Sequence, residues 1–529
     1  MTSFVRSAKN IYGECKEPAY NALSYTWGRY SDPKGASIPV KNVTWTVPPI
    51  SESHFSRNEF VNAIQAAGVG VSYVWVDVAC IDQEDNTVKI DEIGKQAAIF
   101  RRAARVFAWL VPWTLEALED CLSPIEHYYS RQPLDASKDD IKGSTLDSAY
   151  FSRTSKCMNS LDTITSILDA VQDLRHQPWF TSLWTLQEAY LRKDAIILSR
   201  SSAGPSLVHR MDADFRMPLT INWLLVRCQQ IYTMCRLEST PSSMAVCQTL
   251  MDSGLLALSA VNEWSLYSAS TKRQASLHED RVYGIMQVYN IRLGAQSDFS
   301  RLEDSLGFHL NDKDPVLSQL HVHEQPPGEG KAWRVSRHMT IPFVYVGALT
   351  SGIKCTISAS PRKIPLYDGK VCDFDALVDE WHKNWLHRKN AGLSLFEAHV
   401  ALDAQSHPPR TADIFSLHED NLLPDSSVLT LPNSERVRFT HLQSHFPRLL
   451  TDYKVLMMGW ISCGDLEPGP RWVGLVVNQR TQSIGKPWIR VGVCSWPGMI
   501  TGRNDLMSLH GRPDDLSEGL WKTVTGRLG

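Results

Sequence analysis

An α/β fold on a mainly parallel sheet, covered by helices on both faces, is what the first two hundred residues predict. Two observations carry this. From residue 20 to about 200, short apolar runs of strand character alternate with amphipathic stretches of helical spacing, and that alternation is typical of parallel sheets with crossover helices. The chain's 529 residues also exceed what one ordinary core of about 100–200 residues holds, so two or three units are expected.

The run "NALSYTW" reads as the first buried strand. In "SESHFSRNEFVNAIQAAGVG" a Ser-rich opening precedes Phe60, Ile64 and Ala67 at helical spacing, and Gly68 and Gly70 supply the stop. "SYVWVDVAC" follows as a strand. "TVKIDEIGKQAAIFRRAARV" then puts Ile93, Ala97, Phe100 and Ala104 on one stripe, which predicts a single amphipathic helix. "RVFAWLV" is the third strand, residues 113 to about 158 are a polar insertion, and "SLDTITSILDAVQDLRHQPW" is helical. "WFTSLWTLQEAYLRK" is a further helix and "DAIILS" a fourth strand.

The resulting organisation is an α/β domain over residues 1–205, a mostly helical region over 206–310, a linker or loop over 311–345 and a β-rich region over 346–529. Within the last, "IPFVYVGAL", "YKVLMMGWI", "RWVGLVVNQR" and "WIRVGVCSW" are candidate strands and "ALVDEWHKNWLHRKN" a helix; "EDRVYGIMQVYNI" is read as helical in the region before.

A formal charge of -3, from 54 basic and 57 acidic residues, gives no basic field for phosphates, so nucleic acid is not an expected partner. The N-terminus lacks a signal-peptide core, and no uncharged run approaches the roughly 18 residues that cross a bilayer. The expected location is cytoplasmic. Eleven cysteines without a CxxC pair predict buried reduced thiols rather than a disulfide framework or a zinc ribbon.

Two apparent motifs fail on inspection. "PPGEGKAW" has Gln325 where a phosphate loop needs its first glycine and Ala332 where it needs a hydroxyl. His321 and His323 in "HVHE" have no third or fourth ligand nearby in sequence. No GxSxG elbow is present. Two stretches hold chemistry in better settings. "WVDVACIDQED" crowds Asp77, Asp82, Gln83, Glu84 and Asp85 just past an apolar run, where sites of parallel sheets form. The bland alternative is that Asp82 and Asp85 cap the next helix and Asp77 serves loop amides. Cys80 is a nucleophile only if a distant base activates it. In "SLWTLQEAYL", Trp184 and Glu188 share a helical face, and Glu188 sits among Leu183, Leu186, Ala189 and Leu191. A helical Glu is ordinarily solvated; a carboxylate in an apolar, aromatic setting is a candidate reactive group.

Taken in order, "YNALSYTWG", "WVDVACIDQED" running on to "RVFAWL", and "WFTSLWTLQEA" resemble the three blocks of the fungal heterokaryon incompatibility (HET) domain over about residues 20–200. "EDRVYGIMQV" is similar to a segment that follows the domain in such proteins. One departure stands out: the family usually has Arg two positions before the third block's Trp, and this chain has Ser182. HET domains in turn resemble TIR domains, which implies a TIR-like, flavodoxin-like sheet. Enzymatic TIR domains cleave NAD between nicotinamide and ribose, with a glutamate four residues after a Trp in a pattern that Ser182, Trp184 and Glu188 match.

The resemblance thus implies Glu188 as the catalytic group, offsetting positive charge on an oxocarbenium-like ribose. Tyr25, Trp27 or Trp184 would stack on a flat ring, Gly28 would admit a ligand to the backbone, and Arg29 would meet a phosphate. Asp77, Asp82, Gln83 and Gln187 complete the expected substrate-binding set, with no cofactor and NAD as substrate. The implied role is a heterokaryon incompatibility-type trigger of growth arrest or cell death in a filamentous fungus. Its partners would be an unknown incompatibility protein and, on activation, further copies of itself. The alternative is a non-enzymatic module that signals by self-association.

Overall fold

A computed structural model describes residues 2, 11–12, 15–16, 18–82, 84–130, 161–200, 206–207, 209–212, 215–238, 240–259, 264–275, 277–293, 298–328, 330–342, 345, 347–348, 350–360, 363–390, 398–403, 413–419, 427–430, 436–438, 453–462, 470–478, 487–497 and 519–528. The chain divides into two compact units, residues 1–259 with 272–292, and residues 260–271 with 293–529.

In the first unit, β1 (Tyr20–Ser24), β2 (Tyr73–Trp75), β3 (Val106–Thr114) and β4 (Ile196–Arg200) pair in parallel in the order β2-β1-β3-β4, and β5 (Ser206–Leu207) runs antiparallel beside β4. Register sets Ala22 of β1 against Trp75 on one side and Val106 on the other. Strand order therefore reverses direction between β1 and β3, and ligands of open parallel sheets bind beyond the carboxyl ends of strands at such a reversal.

Helix α1 (Arg57–Ala67) begins with a capping box, in which Ser56 Oγ accepts from Glu59 N and Glu59 Oε2 accepts from Ser56 N. Glu59 Oε1 also takes Arg200 Nε at 2.7 Å, tying the helix start to the end of β4. At its other end, Asn21 of β1 donates to Ala67 O at 2.8 Å and Val69 O at 3.2 Å and accepts from Arg105 N at 3.0 Å. One buried amide thus joins helix end, first strand and the entry to the third. Between helix and sheet lies an aromatic core: Tyr25 meets Phe60 with ring centroids 5.3 Å apart, and Phe55 meets Trp109 at 4.9 Å.

The structure departs from the expected elements of this unit at four places before residue 200. The strand in "SYVWVDVAC" ends at Trp75, and Asp77–Cys80 form a helical turn whose first amide, Val78 N, is taken by Asp77 Oδ1 at 2.6 Å. The single helix expected over 87–106 is two, α2 (Asn86–Ile93) and α3 (Gln96–Arg102), broken at Gly94 and Lys95, where glycine disfavours helix. The insertion starts with a helix, α4 (Leu115–Ser130), which keeps Leu118, Leu122 and Ile125 buried at helical spacing; residues 131–160 lie outside the described set. Past it, α5 (Leu161–His176) is the helix expected in "SLDTITSILDAVQDLRHQPW", whereas "WFTSLWTLQEAYLRK" is a short turn, Pro178–Thr181, followed by α6 (Trp184–Leu191) rather than a single helix.

Helices α7 (Ile221–Glu238) and α8 (Pro241–Ser253) follow, the latter with Thr240 capping and Gly254 in the left-handed region at its end. Residues 272–292 also belong to this unit; of "EDRVYGIMQVYNI" only Asp280–Tyr283 is helical.

Among the described residues, the second unit is built on an antiparallel sheet of eleven strands. Its centre is β6 (Lys363–Asp373), β7 (Ala398–Leu402), β8 (Tyr453–Ser462), β9 (Arg471–Asn478) and β10 (Ile489–Pro497), in the order β6-β8-β9-β10-β7. Helix α9 (Phe299–Lys313) precedes the sheet, and α10 (Phe374–Asn390) buries Phe374, Leu377 and Trp381 against it, with Trp381 5.5 Å from Trp496 between centroids. The last three candidate strands and the helix match the expectation. "IPFVYVGAL" does not, because none of its described residues is a strand. His321 and His323 are buried rather than looped out; His323 Nε2 bonds Ala332 O at 2.9 Å and His321 Nδ1 bonds Ser318 O at 2.9 Å. Among the described residues, no helix is long and apolar enough to cross a membrane.

Replacing Asn21 by Ala removes both donors and the acceptor at the junction of α1, β1 and β3, stranding Arg105 N and the carbonyls of Ala67 and Val69. The expected loss is about 2–3 kcal/mol, read as a lower unfolding midpoint in urea. An unchanged midpoint would remove Asn21 from this role.

Candidate functional site

The carboxyl ends of β1 and β2 bring three acidic or phenolic groups together. Ser24 ends β1, Tyr25 follows it, and Asp77 lies just beyond Trp75 of β2. Glu188 reaches the same place from the second turn of α6 and is only 5% exposed. Its Oε1 accepts a long bond of 3.3 Å from Gln96 Nε2. No hydrogen bond of ordinary geometry reaches Oε2 among the described residues, although the Ser24 hydroxyl is near enough to favour the charged form somewhat.

Burial, and then the negative charge of Asp77, push the Glu188 carboxyl well above its ordinary value of 4.5. The Tyr25 phenol feels the same two influences in the same direction, and its Oη also has no partner among the described residues. Two buried oxygens left unsatisfied, Glu188 Oε2 and Tyr25 Oη, each costing about 1–3 kcal/mol, thus converge on one aspartate.

Ser24 is itself fixed from α6's side, because Trp179 Nε1 donates to its Oγ at 2.7 Å. Thr185 Oγ1 donates to Trp179 O and, at 3.0 Å, to Ser182 O, which holds the turn before α6. At Ser182, where the resembling family has arginine, a guanidinium arrives from another part of the chain. Arg273 Nη1 donates to Ser182 O at 2.9 Å and to Thr185 Oγ1 at 3.2 Å. Neither Arg273 nor Ser24 was legible as a site residue: Arg273 is remote in sequence, and Ser24 differs in no way from a strand-end serine.

The remaining expected residues divide. Gln187 is buried in packing; turned so that both of its amide atoms find partners, its nitrogen donates to Gly284 O at 2.7 Å and its oxygen shares Ala97 N at 3.2 Å with Gln287 Oε1. The ring of Tyr25 lies in the aromatic core at 4% exposure. Asp82 Oδ1 accepts from Glu84 N and Asp85 N, and Asp85 Oδ1 from Val88 N, so these carboxylates serve turn amides at the start of α2. Gly28 is exposed, and a Cβ built on it would meet nothing within 4 Å, which leaves room for a ligand. Arg29 Nη2 donates to Gln274 Oε1 at 2.8 Å. Trp184 is half-buried. Gln83 and the side chain of Trp27 lie outside the described residues.

Cys80 is poorly placed as a nucleophile, because burial first, and then Asp77 and Glu92, raise its thiol to about 11, which leaves little thiolate at neutral pH. No group of three or more His, Cys, Asp or Glu able to hold a metal ion occurs among the described residues.

Because folding raises the Glu188 pKa, the folded chain keeps the carboxyl neutral above 4.5 while the unfolded chain ionises. Stability is therefore undiminished below 4.5 and falls as pH rises toward the folded-state value, by about 1.4 kcal/mol per pH unit. Glu188→Gln, which keeps the acceptor for Gln96, should gain in melting temperature over the wild type progressively across that range. A gain that does not grow with pH would contradict the burial-driven shift.

No match was found among curated proteins or among solved structures. The family match begins at the first residue of β1 and ends at Glu188: residues 20–188 match the family model described as Heterokaryon incompatibility protein (HET).

Proposed function

We propose that the first unit is a TIR-like, flavodoxin-like domain that hydrolyses the bond between nicotinamide and ribose in NAD, and that this activity underlies an incompatibility response of growth arrest or cell death. The observation that carries the reading is the buried Glu188 carboxyl, under-bonded and held near Asp77 at the carboxyl ends of β1 and β2. A sheet order of β2-β1-β3-β4 supports the fold assignment, since it is the opening order of flavodoxin-like sheets.

In this reaction the C1′–N1 bond breaks with its electron pair passing to the ring nitrogen, so nicotinamide leaves neutral and needs no proton from an acid. A water oxygen then bonds to C1′ and sheds its proton to solvent, giving ADP-ribose. The protein's task is to stabilise positive charge on the ribose, and a carboxylate in a site dried of water does this strongly. Glu188 must be ionised to act. A cationic pyridinium ring beside it supplies the counter-charge that the free protein lacks there, and a ribose hydroxyl donating at about 2.8 Å would replace the long bond from Gln96.

A second reading, self-association without catalysis, is favoured by a specific observation: Glu188, Tyr25 and Gln187 are all buried in this structure, as packing residues are.

Purified protein incubated with NAD, with and without a crowding agent that promotes association, separates the two. The enzyme reading expects nicotinamide release that Glu188→Ala abolishes. Its pH profile should rise through a midpoint well above 4.5, and Asp77→Asn should move that midpoint to lower pH by removing a like charge. Growth arrest by a wild type that leaves NAD intact would favour the interaction module.

A further inference from the structure

We propose that Arg273 and Arg29 form an anion site that takes the phosphate ester of a ribonucleotide about one helical turn from Glu188. This deepens, and rests on, the nucleotide-cleaving reading above.

Arg273 is 2% exposed. Its Nη1 spends itself on neutral acceptors, the carbonyls of Trp179 at 3.3 Å and Ser182 at 2.9 Å and the hydroxyl of Thr185 at 3.2 Å. Both Nε and Nη2 are buried and have no hydrogen-bond partner among the described residues. Those two atoms make up the side edge of the guanidinium, the edge that presents two parallel N–H bonds to a pair of oxygens on one phosphate. The clamp on the carbonyls thus fixes the plane of the group and leaves its anion-binding fork unused.

Charge points the same way. Burial is the main influence on Arg273 and Arg29 the next, both lowering its affinity for a proton, to about 9. Among the described residues, this buried cation has no counter-ion of the kind such groups ordinarily require. Arg29 is exposed and held by the side-chain oxygen of Gln274, the residue next to Arg273. An incoming phosphate oxygen can take over that bond, since it offers Arg29 a charged acceptor for a neutral one.

Position selects the class of anion. Thr185, which Arg273 touches, precedes Glu188 by three residues in α6, about 4.5 Å along a helix axis. A ribose esterified at its 5′ oxygen carries its phosphate one sugar away from C1′, the carbon that Glu188 would face. A phosphate on the guanidinium fork and C1′ at Glu188 therefore suit a single 5′-phosphorylated riboside.

Calorimetric titration of the full chain with ADP-ribose and with inorganic pyrophosphate tests the site, with ribose as the uncharged control. Wild type should bind both phosphates and not ribose. Arg29→Gln, on the surface, should weaken both by about tenfold or more, and Arg273→Lys, which keeps charge but loses the fork, should do likewise. Phosphate binding that both variants retain at wild-type strength, or absence of phosphate binding by a folded wild type, overturns the proposal. NAD cleavage is followed separately. Cleavage with KM unchanged in Arg29→Gln would sink the anion site and spare the enzyme reading. Arginine-dependent pyrophosphate binding without NAD cleavage would do the reverse.

Discussion

Parallel pairing of Tyr20–Ser24 with a strand on either side is the constraint from which the site follows. Because β1 and β2 point the same way, the residues that leave them, Ser24 with Tyr25 and Asp77, emerge at one end of the sheet. Antiparallel pairing would have sent them to opposite ends. The helix carrying Glu188 is brought to that end by the Trp179 indole on Ser24 and by the Thr185 hydroxyl that holds the turn between them.

What accumulates there is electrostatically unfavourable. A carboxyl is buried with one long hydrogen bond, a phenol with none found, and both sit in the field of an aspartate. At Thr185, three residues before Glu188, a guanidinium is buried with three of its five N–H donors idle among the described residues. A unit shaped by stability alone would pair the acid with the base. Here each is instead held by backbone carbonyls, hydroxyls and amides, so that neither neutralises the other. Titratable groups perturbed in this way cluster at sites where something else is bound or transformed.

Much of the fold was legible because it rests on local rules. Ser56 and the glycine stop bracketed α1, and the apolar runs at 106–110 and 196–199 are strands because they are buried on both faces. Errors came where one residue overrode the pattern: Asp77 captures the next amide and turns a strand into a helical turn, and Gly94 divides a helix that its apolar stripe would continue. Within the site, Glu188 and Asp77 stood out as acids in apolar settings. Arg273 did not, since a lone arginine far along the chain has no local signature of burial. The roles of Asp82 and Asp85 as turn acceptors followed their bland reading, because Asp before a helix ordinarily meets free amides.

The chain leaves the first unit at residue 259 and returns at Lys272, one residue before Arg273. The returning stretch then bonds back to α6, α3 and α2: Gly284 O faces the Gln187 amide, Gln287 Oε1 receives Ala97 N, and Gln287 Nε2 donates to Ile93 O. The family-matched segment, residues 20–188, is consequently not a cassette. A gene fusion or a proteolytic cut that carried it away alone would leave its last helix without the strip that packs upon it, and its arginine behind. Shuffling of such a domain between proteins would have to move two separated pieces of sequence together.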